Sequence, residues 1–386
     1  MNPQKKIVYV VGGLHSPNGM SMVLSQKINY LAEHTDYDLY VILTENPEKP
    51  FFYHLPEKVH VTNFNINFDE LDTMPLWKKM HHYNKKQTIY KQMFTDYLME
   101  VKPDITVSAM RREINFLHSI PDGSLKIGEL HFNRNSYRVF YKCFFPSFVN
   151  KAITHWWQSR LIADIKRLNR FVVLSEEDKK EWKELTNIQV IHNPLIKYPE
   201  KTSSCTAKKV IAAGRYTEQK GFDLLIDAWR NVYEKHPDWE LYIYGSGDNK
   251  SYQKIADEKG LGKVIHCKEA VKNIYDKYME SSIFAFSSRY EGFGLVLAEA
   301  MSCGIPSVSF ACPCGPRDII TDGEDGFLVE KENTEQLANK ICYLIEHEDI
   351  RKEMGRKAHI NMQRFKEDAI MQQWIELFNS LLKKPE

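Results

Sequence analysis

The segment from residue 283 to residue 310, IFAFSSRYEGFGLVLAEAMSCGIPSVSF, constrains the fold more than any other part of the chain. Its apolar ends, residues 283–286 and 306–310, predict short buried strands, and residues 295–301 between them predict a helix. Two strands joined through a helix form a βαβ unit, whose strands are parallel. We therefore expect an α/β protein built on parallel sheets.

Two glycines, Gly292 and Gly294, come directly before this predicted helix. The backbone N–H groups of Phe293, Gly294 and Leu295 are then free to donate hydrogen bonds to an anion, and the helix dipole favours negative charge at the same place. The turn therefore predicts a phosphate-binding site.

Two glutamates flank the turn, Glu291 in the loop and Glu299 in the helix. Glu299 follows Leu295 by four residues, so it lies on the helix face that carries the phosphate-facing end. A carboxylate in that position can accept hydrogen bonds from ribose hydroxyls. For two isolated glutamates, the alternative is a helix cap and a solvated side chain.

The length and composition predict two domains, because 386 residues exceed the size at which a single core is usual. The formal net charge of +1 gives no indication of a nucleic-acid partner. Seven cysteines, an odd number without CxxC spacing, predict reduced thiols in a cytoplasm. The start of the chain, MNPQKKIVYVVGG, predicts a first strand and no signal peptide, and no segment has the roughly 20 apolar residues of a spanning helix.

Strand and helix patterns alternate along the first half of the chain. Residues 7–11 predict a strand that runs into Gly12 and Gly13, and a helix is predicted to follow. Further strands are predicted at residues 39–43, 59–61, 104–109, 125–130, 171–174 and 188–192. Ligands bind at the carboxyl ends of parallel strands. Asp36 and Asp38 precede a strand, so we expect turn residues there and no metal site.

His131 lies at the carboxyl end of the predicted strand at residues 125–130, where functional groups concentrate. Glu129, on the opposite face of that strand from Leu130, is the alternative polar group. In the second half, a linker at residues 196–208 and a strand at residues 209–213 lead into the sequence GRYTEQKGFDLLIDAW.

Arg215 and Lys220 lie on either side of a short loop in this sequence. Two cations there can neutralise the charge that develops on the β-phosphate when a nucleoside diphosphate leaves a sugar, without a metal ion. Solvated surface cations are the alternative interpretation.

The phrases SRYEGFGLVLAEAMSCGIPSV and GRYTEQKGFDLLIDAW resemble the donor site of retaining glycosyltransferases of family 4, which have the GT-B fold. The resemblance covers nearly the whole chain. It implies two Rossmann-like domains facing across a cleft: an acceptor domain at residues 1–195 and a nucleotide-sugar donor domain at residues 196–365. It also implies that a C-terminal helix within residues 366–386 crosses back to the first domain.

The resemblance further implies an activity and the residues that perform it. A hexose would be moved from a nucleotide sugar, UDP-linked, to a saccharide or lipid-linked acceptor with retention of configuration, as in bacterial surface polysaccharide assembly, with no metal and no other cofactor. The implied catalytic residues are His131, Glu291, Arg215 and Lys220. The implied donor-binding residues are Gly12, Gly13, Arg215, Lys220, Glu291, Phe293, Gly294, Leu295 and Glu299.

Other functions remain open on the same fold. A GT-B epimerase would release free sugar without an acceptor, and a phosphorylase would need a lysine that holds pyridoxal phosphate. A third alternative is a catalytically silent nucleotide-sugar-binding subunit that activates a partner, although intact Glu291, Glu299, Arg215 and Lys220 argue against it.

A basic, aromatic stretch runs from residue 131 to residue 170, where eight Lys and Arg accompany a single acid, Asp164, with nine aromatic residues between them. It predicts either a packed helical region with a basic rim or a surface for anionic lipid. No nucleic-acid-binding motif accompanies it. We expect a cytoplasmic protein that docks peripherally on the inner face of a membrane through this stretch, with no nucleic-acid partner. The sequence makes no prediction of the oligomeric state.

Overall fold

A computed structural model describes residues 4–16, 18–137 and 147–383. The chain divides into two units, each built on its own parallel sheet. The N-terminal unit comprises Met1–Leu174, Lys179–Ile191 and Met371–Glu386. The C-terminal unit comprises Ser175–Asp178 and His192–Ile370.

The N-terminal unit contains a seven-stranded sheet with helices beside it. Its strands are β1 (Lys6–Val11), β2 (Asp38–Leu43), β3 (His60–Asn63), β4 (Ile105–Ser108), β5 (Leu125–Glu129), β6 (Arg170–Val173) and β7 (Ile188–Val190). The helices that connect them are α1 (Gly19–His34), α2 (Leu76–Val101), α3 (Ser147–Ile165) and α4 (Glu176–Glu181). The strand order is β3-β2-β1-β4-β5-β6-β7, and every pairing is parallel.

The C-terminal unit contains a six-stranded sheet. Its strands are β8 (Lys209–Ala213), β9 (Glu240–Gly245), β10 (Ile265–Glu269), β11 (Ile283–Phe286), β12 (Ser307–Phe310) and β13 (Gly326–Val329). Its helices are α5 (Phe222–Lys235), α6 (Asn249–Glu258), α7 (Ile274–Met279), α8 (Leu295–Ser302), α9 (Pro316–Ile319), α10 (Thr334–Glu346) and α11 (Glu348–Asn361), and the last helix of the chain is α12 (Glu367–Leu382). The strand order is β10-β9-β8-β11-β12-β13, again parallel throughout.

The central strands of both sheets are largely buried, because helices cover both faces of a parallel sheet. In β1, residues 7–11 are all buried, and β11 is buried from end to end. Helix α1 begins where the side chain of Asn18 accepts a hydrogen bond from the backbone N–H of Ser21 at 2.9 Å. The predicted α/β class and the two Rossmann-like sheets are thus confirmed.

Each sheet has one point where the strand order reverses. In the N-terminal unit this point lies between β1 and β4, and in the C-terminal unit it lies between β8 and β11. The connections leave these two strands toward opposite sides, which opens a crevice at their carboxyl ends. Ligands in open α/β sheets bind in this crevice, so a functional site is expected there.

Three further expectations concern single elements. Asp38 begins β2, where it accepts a hydrogen bond from the hydroxyl of Tyr40 at 2.8 Å, at the end of the strand away from the crevice. Six cysteines fall within the described ranges, and all six are buried free thiols. No helix formed by the described residues is both long and apolar enough to cross a bilayer.

Candidate functional site

Two loops meet at the crevice of the C-terminal unit, one after β8 and one after β11. The backbone N–H of Arg289 donates to the carbonyl of Gln219 at 2.8 Å, and the Gln219 side chain donates to the carbonyl of Tyr290 at 3.0 Å. Arg289 also forms a two-pronged ion pair with Asp223, at 2.9 and 2.6 Å. The loops are therefore fixed to one another before any ligand binds.

Glycine makes this close approach possible. Gly221 has a φ of +61°, and a Cβ at this position would overlap the backbone oxygen of Ser287. The hydroxyl of Ser287 in turn donates to the carbonyl of Lys220 at 2.9 Å. Gly214, with a φ of +154°, leaves room for the aliphatic part of Lys220.

Lys220 and Glu291 form an ion pair within this crevice. The ammonium Nζ lies 2.6 Å from the Glu291 Oε1, and both side chains are largely buried. The same ammonium lies 5.7 Å from the centre of the Phe286 ring. A phosphate that enters the site can replace Glu291 as the ion-pair partner of the Lys220 ammonium. The Glu291 carboxylate could then accept hydrogen bonds from sugar hydroxyls.

The N-terminus of α8 presents backbone donors to the same crevice. Gly294 precedes the helix with a φ of +96°, a backbone conformation that residues other than glycine rarely adopt. Among the described residues, none accepts a hydrogen bond from the N–H groups of Phe293, Gly294 or Leu295. The Phe293 ring packs inward, 5.3 Å from the ring of Phe365. These three donors can bind an anion.

Glu299 lies one turn into α8 and is only 6% exposed. No described residue donates a hydrogen bond to its carboxylate, and burial raises its pKa to about 7, although the Lys220 ammonium lowers it. A buried carboxylate without donors is costly. Ligand hydroxyls would supply the missing donors.

Arg215 lies on the loop after β8, and its side chain is exposed. No carboxylate in the described part of the chain forms an ion pair with its guanidinium. The C-terminal unit therefore combines an exposed cation, a partly buried cation, three amide donors and two carboxylates at one edge of its sheet. This combination suits a ligand that carries phosphates and hydroxyls together.

The crevice of the N-terminal unit contains the glycine pair and a guanidinium. A Cβ at Gly12 would lie 3.1 Å from the Nε and Nη2 atoms of Arg111, so the glycine lets this arginine cross the loop closely. Arg111 follows β4 along the chain, and the adjacent Arg112 lies over the Phe68 ring at 4.8 Å. The sequence prediction missed Arg111, whose only signal is its position just after a strand.

His131 follows β5 in the same unit, and its side chain is 4% exposed. Its Nε2 lies 3.2 Å from Glu129 Oε1, within ion-pair distance but off line for a hydrogen bond. Glu129 is buried and also pairs with Lys27 of α1, whose Nζ is 2.6 Å from both carboxylate oxygens. The sequence prediction missed Lys27, although a lysine among Val23, Leu24 and Ile28 on the buried face of a helix needs a partner.

The predicted site residues therefore fall into two groups. Lys220, Glu291 and Glu299 come together in the C-terminal unit, with Phe293, Gly294 and Leu295 beside them and Arg215 on the adjoining loop. Gly12, Gly13 and His131 belong to the N-terminal unit. Their roles in catalysis and donor binding remain predictions.

The basic stretch at residues 131–170 is only partly available as a surface. Arg134 pairs with Glu184 at 2.7 Å and lies over the Trp182 ring, and Arg167 contacts His118 at 2.9 Å. Helix α3 exposes Phe148, Lys151, His155, Trp156 and Arg160 on one face. The predicted members Arg138, Lys142, Phe144 and Phe145 lie outside the described residues.

Comparison with known proteins gives a consistent answer. Residues 197–360 match the family model described as glycosyl transferases group 1. An uncharacterized glycosyltransferase of Haemophilus influenzae is 25% identical over 383 residues, which cover 96% of this chain and 99% of that protein. The amylovoran biosynthesis glycosyltransferase AmsD of Erwinia amylovora is 34% identical over 179 residues, or 44% of this chain, and the match spans only 48% of AmsD.

Solved structures give the same fold. A mutant of TarM from S. aureus, in complex with fondaparinux, α-GlcNAc-glycerol and UDP, superimposes with a TM-score of 0.74 at 16% identity. The match covers 97% of this chain and 100% of that one. At this identity the likeness shows a shared GT-B fold and nothing finer.

Proposed function

We propose that this protein is a retaining glycosyltransferase of family 4. Its similarity to known proteins supports the assignment as a GT-B glycosyltransferase. The enzyme transfers a hexose from a UDP-linked sugar to a saccharide or lipid-linked acceptor in polysaccharide biosynthesis. One observation carries the proposal: Lys220, Glu291, Glu299 and three unpaired amide donors converge at the crevice of the C-terminal unit. The UDP in the TarM complex and the name of AmsD support the donor and the pathway class.

The donor would bind through its diphosphate and its ribose. Arg215 and Lys220 neutralise the diphosphate, and the amides of Phe293, Gly294 and Leu295 donate to its oxygens. Glu299 accepts from the ribose hydroxyls, and Glu291 accepts from the sugar once Lys220 has turned to the phosphate. Because two side-chain cations offset the negative charge, the reaction is proposed to need no metal ion.

The transfer would proceed on one face of the sugar. The bond from the anomeric carbon to the β-phosphate oxygen breaks as the acceptor hydroxyl oxygen bonds to the same carbon. The hydroxyl proton passes to an oxygen of the departing phosphate. Lys220 and Arg215 stabilise the charge that grows on this leaving group, which lowers the barrier only to the extent that they bind it more strongly in the transition state.

Thermal unfolding with nucleotides and nucleotide sugars tests the proposal directly. A ligand at 100 times its dissociation constant adds about 2.7 kcal/mol to the free energy of unfolding. We expect this stabilisation with UDP and one UDP-sugar, in the presence of a chelator. Lys220→Met should remove most of it, whereas Lys254→Met, at an exposed lysine of α6, should not. No shift with any nucleotide would overturn the proposal.

Product analysis separates the transferase from the other functions on this fold. A transferase consumes acceptor and keeps the anomeric configuration of the donor, which NMR of the product reports. An epimerase would release free sugar. We expect His131→Ala to lower turnover and to leave UDP affinity unchanged.

Peripheral membrane docking is part of the proposal. Phe148 and Trp156 are 73% and 55% exposed on α3, and they share that face with Lys151 and Arg160. Aromatic side chains settle at the headgroup boundary, and each cation near anionic lipid contributes about 1 kcal/mol.

Sedimentation with lipid vesicles tests this surface. We expect binding to phosphatidylglycerol vesicles that weakens with added salt, and little binding to phosphatidylcholine. Phe148→Ser with Trp156→Ser should abolish it, while Ile360→Ser, at an exposed apolar residue of the C-terminal unit, should not. Equal binding by the double variant would refute the assignment.

A further inference from the structure

A charged cluster is buried beside His131 in the N-terminal unit. The Nζ of Lys27 lies 2.6 Å from both carboxylate oxygens of Glu129, and each side chain is 1% exposed. The Oε1 of Glu129 lies 3.2 Å from the Nε2 of His131. One carboxylate therefore faces two nitrogen bases, a lysine from α1 and a histidine from the end of β5.

Aromatic rings enclose the lysine. Its Nζ lies 3.4 Å from the centre of the Trp374 ring of α12 and 5.8 Å from the Tyr9 ring of β1. The Tyr9 hydroxyl is buried, with no hydrogen-bond partner among the described residues. The cluster is thus shielded from water on the sides formed by β1, α1 and α12, and His131 is the member that follows the carboxyl end of its strand.

Stability does not explain such an arrangement. The cost of removing two charges from water commonly offsets their attraction, and apolar replacements of buried ion pairs are often neutral or stabilising. A buried pair that contacts a third polar group has another effect: it fixes the position of that group.

We propose that Lys27 and Glu129 are positioning residues that hold the imidazole of His131 at the carboxyl end of β5. The proposal rests on the proposed function, in which His131 acts on the donor sugar. The Glu129 carboxylate contacts the imidazole across 3.2 Å, and the Lys27 ammonium fixes that carboxylate in place through both of its oxygens.

NMR of the His131 ring tests the proposal without any substrate. His131→Gln identifies the signal among the 14 histidines. Glu129→Gln and Lys27→Met should each shift and broaden this ring signal, because each variant removes a contact that fixes the position of the imidazole. Lys5→Met breaks an exposed ion pair with Asp104 in the same unit and should change nothing.

The double variant Lys27→Met/Glu129→Gln guards against misfolding, since a single variant leaves one buried charge uncompensated. We expect it to fold, to show a displaced ring signal of His131, and to lose at least tenfold in kcat while UDP affinity stays within twofold. A wild-type ring signal in this variant, or a wild-type kcat, would overturn the proposal. If the wild-type protein transfers no sugar, the proposed function fails, and the ring signal still decides whether Lys27 and Glu129 hold His131 in place.

Discussion

Glu299 is the residue whose surroundings bear most directly on ligand binding. It is buried in α8 without a hydrogen-bond donor among the described residues, and burial raises its pKa to about 7 despite the Lys220 ammonium. Near neutral pH the free protein therefore holds a mixture of the acid and the carboxylate. In the proposed complex, two hydroxyl donors from the ribose would stabilise only the carboxylate, so we expect binding and ionisation to be coupled.

This coupling predicts a pH dependence of nucleotide affinity. The pKa of Glu299 should fall from about 7 when a nucleotide binds. We therefore expect UDP affinity to be constant above neutral pH and to fall as the pH drops below it, by up to about tenfold per unit. Calorimetric titration across this range measures it. Glu299→Gln should bind UDP more weakly and should lose the part of the pH dependence that Glu299 causes. Any pH dependence left in this variant reports protonation of the nucleotide itself. Identical pH profiles for the two proteins would contradict the assignment.

The same carboxyl group predicts a gain in stability when it is neutralised. Its folded pKa of about 7 is above the ordinary value of 4.5. The contribution of the protonated carboxyl group to the free energy of unfolding is therefore fully present below pH 4.5 and is lost as the pH rises through 7. The loss amounts to about 3 kcal/mol at most. Glu299→Gln should unfold at a higher temperature than the wild-type protein at pH 8, and the difference should vanish near pH 4.5. Calorimetric unfolding of both proteins at the two pH values measures this difference in unfolding temperature.

The sequence named Lys220, Glu291 and Glu299 as candidate site residues, and it could not predict how they pair. Lys220 and Glu291 are 71 positions apart, and only the order of β8 beside β11 brings them together. The buried pair of Lys27 and Glu129 was equally hidden, because it joins a helix near the start of the chain to a strand 102 positions later.

At the level of elements, the two loops of the C-terminal crevice behave as one structure. Most of their contacts join a side chain to a backbone carbonyl or to another side chain, and Gly221 lets the backbone approach Ser287 closely. Strand positions were predictable because fully buried parallel strands leave short, continuous apolar runs. Helix α2 was not predicted, because its first half is largely exposed and its buried positions, Tyr90, Phe94 and Leu98, come late.

Two glycines of similar backbone conformation allow the cost of backbone strain to be distinguished from the cost of a steric clash. Gly221 and Gly260 have φ values of +61° and +74°, but nothing lies within 4 Å of a Cβ at Gly260. Gly260→Ala should cost only the strain of the left-handed conformation, about 1 kcal/mol. Gly221→Ala should cost clearly more and should also weaken UDP binding, because the displaced loop carries Lys220. Denaturant unfolding and calorimetry check both, and equal effects on stability would refute the packing argument.

At the level of the whole molecule, two of the points where the chain passes between its two units lie within helices. Helix α4 contributes residues to both, and α12 begins in the C-terminal unit and belongs to the N-terminal unit from Met371 onward. Alternating strand and helix patterns were enough to predict two sheets. The burial of Trp374 against Lys27 was not predictable, since no local pattern in α12 names a partner so far away.

Trp374 should therefore be important for the stability of the N-terminal unit. It is 1% exposed, and truncation of a buried tryptophan typically costs 3–5 kcal/mol. Trp374→Ala should lose about that much and should also uncover the buried ammonium of Lys27. Trp77→Ala, at a tryptophan that is 72% exposed, should stay within about 0.5 kcal/mol of the wild-type protein. Denaturant unfolding measures both, and similar losses would contradict this view.

The return of α12 to the N-terminal unit sets an order of events on the ribosome. The first strands are synthesised early, yet Trp374, which covers Lys27, is synthesised only after all of His192–Ile370. A nascent chain thus keeps the Lys27–Glu129 pair uncovered until the C-terminal unit has been made, and a truncation before Trp374 would damage the unit that was made first.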